Sequence, residues 1–396
     1  MTSENSQIAA QLRAIVGELE DLFFERSDVI RALMIGVLSR QHSLMLGPPG
    51  TAKSELAREL TGRFDGATFW EILLTKFTAP SEIFGPVDVG QLAQGRWTQI
   101  FDGHATQAHI GFLDEVFKGS SAALNTMLPF LNERLYHPES GGAPIRCPLI
   151  SCVCASNELG SGEEVGAIFD RLLIRVEVGY LADPNNFAAL LRSAVAPAAP
   201  LKRTTLPLEM LQSAVTTGVP SIAVPDGVVD AFVQLRAQLR RKEHHASDRR
   251  WKAAVRLIQA SAYLDGRPEA NTDDLLILSS VLWESVADRA SVEREVLQLV
   301  HPAAGEALTL SDAIDEVEGQ LDSMAGQSED ALNRWALGAN RELRQAKKKL
   351  QEMLTEAQTA GRPTSTVQRV IARCEAVANR VAVEALGIDL STAPKL

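Results

Sequence analysis

Over residues 5–22 the apolar positions Ile8, Leu12, Ile15, Leu19 and Leu22 recur at helical spacing, which predicts an amphipathic helix. Ser27-Asp28 offers a cap for a second helix carrying Ile30, Leu33, Met34, Val37 and Leu38. From residue 43 to about 179 the pattern changes. Short apolar runs at 43–46, 69–74, 109–113, 149–155 and 173–178 alternate with helical patterns, which predicts an α/β domain with a parallel sheet covered by helices on both faces. Two segments interrupt the alternation. Gly85 to Gly103 reads as a hairpin-like insert, and Arg134 to Cys147 reads as two short extended runs around the turn Pro138-Glu139-Ser140-Gly141-Gly142.

Residues 193–225 are rich in Ala, Pro and Thr, among them Ala194, Pro197, Pro200, Thr204, Thr205 and Pro207, and mark a linker. The organisation expected is a core over 1–192, the linker, an all-helical domain over 226–302, and a C-terminal helical region over 303–396. In the helical domain Val229, Phe232, Val233, Leu235 and Leu239 mark one helix, and Trp251, Val255, Leu257, Ile258 and Tyr263 the next. Beyond Pro302, three stripes follow: Ile314 to Met324, Leu332 to Leu354, and Val367 to Val381 after a break at Gly361-Arg362-Pro363-Thr364. They fit a coiled-coil-like helical hairpin. Such stripes need a partner, and the chain is long enough to supply its own. Lys347-Lys348-Lys349 reads as a solvated face.

The chemistry begins at Gly47-Pro48-Pro49-Gly50-Thr51-Ala52-Lys53-Ser54, between the apolar run Ser43 to Leu46 and the helical pattern from Glu55. A strand, a glycine-rich turn, Lys-Ser and a helix form a phosphate cradle. Backbone N–H groups of the loop and the helix start face the phosphates, Lys53 reaches the β- and γ-phosphates, and the Ser54 hydroxyl can ligate Mg²⁺. Ala52 stands where a second Gly is usual, and fits if its φ is negative. Some sixty residues on, the apolar strand His109 to Leu113 ends in Asp114-Glu115. Carboxylates at the C-terminal edge of a parallel sheet lie in its ligand crevice. Asp114 would hold Mg²⁺, and Glu115 would polarise the attacking water. Asn157 ends the strand after Cys152-Val153-Cys154 and can orient that water. Arg171 precedes an apolar strand and could reach a neighbouring subunit's phosphate, or pair with Asp170. Arg249 and Arg250 follow a Ser247-Asp248 cap at a helix start. Cations there oppose the helix dipole, a cost that a polyphosphate would offset.

Composition narrows the possibilities. At 396 residues, two or three domains are expected. Hydrophobic content of 45% and charged content of 22% are those of a globular chain, and the net charge of −11 opposes broad adhesion to nucleic acid or anionic lipid. The start, Met1 to Asn5, lacks a basic segment followed by an apolar stretch, so no signal peptide is read. No run reaches the ~18 apolar residues of a membrane span. A cytoplasmic protein is expected. Cys147, Cys152, Cys154 and Cys374 do not make paired C-x-x-C halves, so buried reduced thiols are expected rather than zinc.

Gly47 to Ser54, Leu113-Asp114-Glu115, Ala155-Ser156-Asn157 and Asp170-Arg171 resemble, in order and spacing, the motifs of AAA+ ATPases. Phe77-Thr78-Ala79-Pro80-Ser81-Glu82-Ile83-Phe84-Gly85-Pro86, Leu124-Asn125-Thr126 with Leu131-Asn132-Glu133-Arg134, and Ser247-Asp248-Arg249-Arg250-Trp251-Lys252 resemble the MoxR group, and within it the RavA-like branch. The resemblance spans roughly residues 8–300. It implies a P-loop AAA+ core, an all-α lid, ATP and Mg²⁺ as ligands, and a homo-oligomer, a hexameric ring with nucleotide between subunits. It implies that Gly85–Gly103 is a helix-2 insert and Arg134–Cys147 the hairpin before the sensor strand, both facing the pore or upper surface. Arg171 matches the arginine finger, with Arg175 second. Arg249 matches the lid sensor, with Arg250 second. Proteins of this group act as chaperone-like remodellers beside von Willebrand factor A proteins. RavA-type proteins also carry a β-rich C-terminal insertion. No segment here reads as one, so contacts made through it are not carried over.

Two other readings remain open at this point. One is a nucleic-acid-remodelling ring motor, disfavoured because the inserts offer only Arg96, Arg134 and Arg146 beside Asp88, Asp102 and Glu139. The other is a nucleotide-gated scaffold whose hydrolysis is incidental.

Overall fold

A computed structural model describes residues 1–139, 141–160, 163–195, 203–324, 329–359 and 364–386. Ser140, Pro197, Pro200 and Gly361-Arg362-Pro363 lie outside the described residues. Two compact units emerge: Met1–Val229 with Ala246–Leu282, and Asp230–His245 with Trp283–Leu396.

The first unit is built on five parallel strands: β1 (His42–Leu46), β2 (Phe69–Leu73), β3 (Ile110–Asp114), β4 (Ser151–Ser156) and β5 (Leu172–Glu177). Their order in the sheet is β2-β3-β4-β1-β5. Every residue of β1 and β4 is buried, as expected of central strands covered on both faces. Register places Leu44 opposite both Cys154 and Arg175. All strands end at one edge, so whatever follows β1, β3 and β4 is gathered there.

Helices α1 (Ser3–Leu22) and α2 (Ser27–Ser39) bury the apolar stripes read from sequence. Gly36 lets α2 lie against β1, because a Cβ at that position would come within 2.5 Å of the Ser43 hydroxyl. Helix α3 (Lys53–Thr61) follows the phosphate loop, α4 (Ser121–Glu133) follows β3, and α5 (Glu163–Arg171) leads into β5. Within the stretch expected as a linker, Leu206–Pro207 pairs with Phe64–Asp65, and Leu211, Val215, Val219 and Ile222 are buried. The stretch expected as a helical domain is divided: α6 (Asp226–Arg241) falls mostly in the second unit and α7 (Asp248–Leu264) in the first. Ser247 caps α7, its hydroxyl accepting from the Arg250 N–H at 3.3 Å.

The second insert takes the expected hairpin form, whereas the first closes through a single bridge around a short helix, Val89–Leu92, capped by Asp88. Val87 bridges Gln99 in the first, and Leu135–Tyr136 pairs with Ile145–Arg146 in the second. Tyr136 joins them: it stacks on Phe84 at 4.6 Å between ring centroids, and its hydroxyl accepts from the Gln99 amide at 2.9 Å. The first insert exposes Val89, Leu92, Trp97 and Ile100. Arg134 is spent on the backbone carbonyls of Leu131, Asn132 and Arg40, which removes one of its few cations from use by a phosphodiester strand.

The second unit contains α8 (Val286–Val300), α9 (Pro302–Met324), α10 (Glu329–Thr359) and α11 (Ser365–Arg380). The last three form a bundle with Ile314, Val317, Leu321, Leu343, Leu350, Val370, Cys374 and Val377 inside. The apolar stripes therefore cover one another. Outside, Arg373 and Arg380 interleave with Asp315, Glu318, Asp322 and Glu384. Lys347, Lys348 and Lys349 pair with Glu375, Glu352 and Glu306.

All four cysteines are free and buried. Burial pushes the Cys152 thiol up to about 12, and Cys154 is also held well above its usual range. No helix among the described residues is long and apolar enough to cross a membrane.

Candidate nucleotide site

Gly47 leaves β1 with its N–H on the Ser156 carbonyl, 3.1 Å away. Only glycine fits there, since a Cβ would lie 2.0 Å from the Val178 carbonyl oxygen. Gly50 has φ 78°, and the loop is closed by the Thr51 hydroxyl donating to the Pro48 carbonyl at 2.9 Å. Ala52 departs from expectation: its φ is +63°, in the left-handed region. The turn keeps the geometry that a glycine would favour, and a methyl group is small enough to be tolerated there at a cost of about 1–2 kcal/mol.

Lys53 donates to the carbonyls of Gly47 at 2.6 Å and Pro48 at 2.8 Å, and to Asn157 Oδ1 at 3.1 Å. Desolvation lowers its proton affinity, and the carboxylates of Asp114 and Glu115 oppose that shift. Ser54 Oγ donates to Asp114 Oδ2 at 3.2 Å. A hydroxyl and a carboxylate converging beside a phosphate cradle are the hard oxygen donors that Mg²⁺ takes, so this pair fits that ion.

Glu115 also sits in the left-handed region, at φ 51°. Its N–H is held by Asp114 Oδ1 at 3.0 Å, which turns the second carboxylate back toward the loop. Asn157 Nδ2 donates to Glu115 Oε1 at 2.6 Å, and Lys118 pairs with the same oxygen at 3.3 Å. Glu115 Oε2 is buried with no hydrogen-bond partner among the described residues. A bare carboxylate oxygen is costly unless something donates to it, and a water proton would do so. Gly47 to Ser54, Asp114, Glu115 and Asn157 are thus brought together at one edge. Lys118 was missed from sequence, though its spacing three residues after Glu115 was visible.

The arginines lie elsewhere. Arg171 precedes β5, whose first residue Leu172 is level with His42 at the start of β1. The phosphate loop follows the other end of β1, about 13 Å further along the strand. Arg171 donates to Asn132 Oδ1 at 3.1 Å and pairs with Asp170 at 3.6 Å. The same Asp170 carboxylate lies 3.5 Å from Arg249 and 3.3 Å from Arg250. Arg249 therefore sits with Arg171 and away from its own chain's phosphate loop. The paired arginines differ in exposure. Arg249 keeps 57% of its side chain exposed, against 4% for Arg250. Arg175 is 1% exposed and lies over the Phe169 ring at 3.6 Å.

A phosphate loop at the C-terminal edge of a five-stranded parallel sheet, facing an acidic strand end and a polar one, followed by an all-helical domain, defines an AAA+ fold. Residues 10–210 match the family profile described as the MoxR domain in the MoxR-vWA-beta-propeller ternary systems, and residues 227–296 match an AAA lid domain. The chain belongs to the MoxR family of AAA+ proteins. An uncharacterized protein of Methanocaldococcus jannaschii is 32% identical over 319 residues, 80% of this chain and 81% of that one. Chaperone MoxR1 of Mycobacterium tuberculosis is 28% identical, over 47% of this chain and 49% of its own length. In fold, the chain resembles a crystal structure of an ATPase candidate from Cytophaga hutchinsonii, with a TM-score of 0.60 and 15% identity over 75% of this chain and 95% of that one.

Proposed function

We propose that this protein is a Mg²⁺-dependent ATPase that assembles into a ring, hexameric by family resemblance, and turns hydrolysis into conformational work on protein partners. The observation that carries the proposal is the convergence of Lys53, Ser54, Asp114, Glu115 and Asn157 on one loop, with Glu115 Oε2 left without a donor among the described residues. Residues 47–54 would hold the phosphates, and Ser54 and Asp114 would hold Mg²⁺, which would supply charge neutralisation of the transferred phosphate. Asn157 positions the attacking water. Glu115 Oε2 accepts its proton while Oε1 stays fixed by Asn157 and Lys118. Arg171 and Arg249, at the opposite end of the sheet, serve the site of the next subunit, so one subunit alone lacks a complete set.

The partners proposed are proteins of von Willebrand factor A and β-propeller type, after the systems for which the matching profile is named. Within the family, the RavA-like branch is proposed on the sequence motifs Phe77 to Pro86, Leu124 to Thr126 with Leu131 to Arg134, and Ser247 to Lys252 alone. The cytoplasm is the proposed compartment. Mg²⁺-dependent ATP hydrolysis per subunit, measured across protein concentration with Glu115→Gln as control, tests the reading. A steep rise that the variant lacks supports it. Full activity in the dilute monomer removes the shared site, and no ATP binding at any concentration removes the whole proposal.

A further inference from the structure

We infer that Asp170 is a positioning residue for hydrolysis. Its carboxylate gathers Arg171 and Arg249 into one cationic tip, on the reading that these two arginines serve the next subunit's site.

Asp170 lies in the last turn of α5, and Arg249 and Arg250 lie in the first turn of α7. Arg171 and Arg249 meet on the same oxygen, Oδ2, at 3.6 and 3.5 Å, while Arg250 takes Oδ1 at 3.3 Å. Each helix end here carries a charge that its dipole disfavours, an acid at a C-terminus and bases at an N-terminus. Stability alone would favour the opposite placement. The two offset each other across this contact, and a local rule broken on both sides of one contact points to a use beyond holding the fold.

The three arginines are held differently. Arg250 is buried and anchors the start of α7. Arg171 is fixed on three sides, with Nε on Asn132 Oδ1 and Nη1 on the Ala167 carbonyl at 3.0 Å, beside its pair with Asp170. For the exposed side chain of Arg249, Asp170 is the one polar hold among the described residues. Charge-assisted contacts that fully engage a guanidinium are about 2.7–2.9 Å long. The looser contacts here leave N–H donors of Arg171 and Arg249 for another anion, and three cations on one carboxylate leave the tip positive. The γ-phosphate of the next subunit would meet two guanidinium groups already side by side. Two like charges would otherwise resist that arrangement, so the acid settles it in advance of the reaction.

Steady-state ATP hydrolysis by full chains, alone and in equal mixtures, tests this. Asp170→Asn removes the charge but keeps an acceptor for Arg250. It is expected to lower kcat about 10- to 100-fold with KM for ATP nearly unchanged, and Asp170→Glu to restore most of the loss. Lys53→Ala chains supply the acid and both arginines intact. Mixed with them, Asp170→Asn should recover about a quarter of parental activity. Mixed with Arg171→Ala it should recover nothing, since both chains then lack the same face. Recovery with Arg171→Ala instead, or an unchanged kcat, overturns the inference. Asp170→Ser is read in the same mixtures if the Asp170→Asn chain does not fold. Failure of both to fold, or recovery with neither partner, makes Asp170 an anchor of α7 and overturns the positioning role. Absence of recovery between Lys53→Ala and Arg171→Ala overturns the shared site instead, and this inference with it.

Discussion

Asn157 and Glu115 are joined by a 2.6 Å hydrogen bond from carboxamide to carboxylate. The other end of Asn157 accepts from Lys53, so one small amide spans the cation of the phosphate loop and the proposed base. Removing the base should separate binding from turnover. Glu115→Gln is expected to bind ATP nearly as well as the parent and to hydrolyse it about 100- to 10,000-fold more slowly. Single-turnover hydrolysis beside equilibrium titration checks both halves.

Lys53 has a different role, with its ammonium group seated on the Gly47 and Pro48 carbonyls. Lys53→Ala removes a charge-assisted contact to phosphate and should weaken ATP by about 10- to 100-fold. A titration showing undiminished affinity would take Lys53 out of the site.

The opposed placement of loop and arginines predicts complementation. Lys53→Ala and Arg171→Ala chains should each be inactive. Mixed in equal amounts, they should recover about a quarter of parental activity, because head-to-tail contacts pair an intact loop with an intact arginine in that fraction of interfaces. No recovery after co-assembly would place Arg171 in the site of its own chain.

Ala52 predicts a gain. Ala52→Gly relieves a left-handed alanine, and the parent should be the less stable by up to about 1 kcal/mol after the greater freedom of the unfolded glycine is counted. Thermal unfolding should shift upward by about one to two degrees at most. A downward shift would mean that the methyl group is packed rather than merely tolerated.

His42 predicts a pH dependence. Its Nε2 lies 2.7 Å from the Leu131 carbonyl oxygen and its Nδ1 accepts from the Cys152 N–H at 2.9 Å, so both ring nitrogens are used by the neutral form. Burial, helped by Arg134, drives its pKa from 6.5 down to about 3. Between those values the unfolded chain binds a proton that the native chain refuses. This group's contribution to stability therefore falls as pH drops, by about 1.4 kcal/mol per unit below about pH 6. His42→Leu loses two hydrogen bonds, so the slopes of stability against pH are compared rather than their absolute levels. Parallel slopes would contradict the assignment.

Much of the core was legible because its strands are short apolar runs ended by polar residues. The run 43–46 became His42–Leu46, and 109–113 became Ile110–Asp114. Motif spacing then located Lys53, Asp114 and Asn157, since a parallel sheet gathers strand ends whatever its order. What sequence could not carry was torsion and long-range position. Nothing in Gly50-Thr51-Ala52 tells the sign of a backbone angle. Arg249 and Arg250 reach Asp170 across about eighty residues, an encounter fixed by how α7 packs. Leu211, Val215 and Val219 were hidden in a stretch whose Pro, Ala and Thr content reads as a tether.

The sheet's polarity carries a last consequence. With the loop at one end of β1 and Arg171 level with the other, a subunit is an acceptor on one side and a donor on the other. On the proposed arrangement, an open row always has one idle loop and one idle arginine at its tips. Closing the row joins them and adds a site without adding a chain. Ring closure would then itself be a reward in activity, and loss of a single member would silence two neighbours' contacts at once.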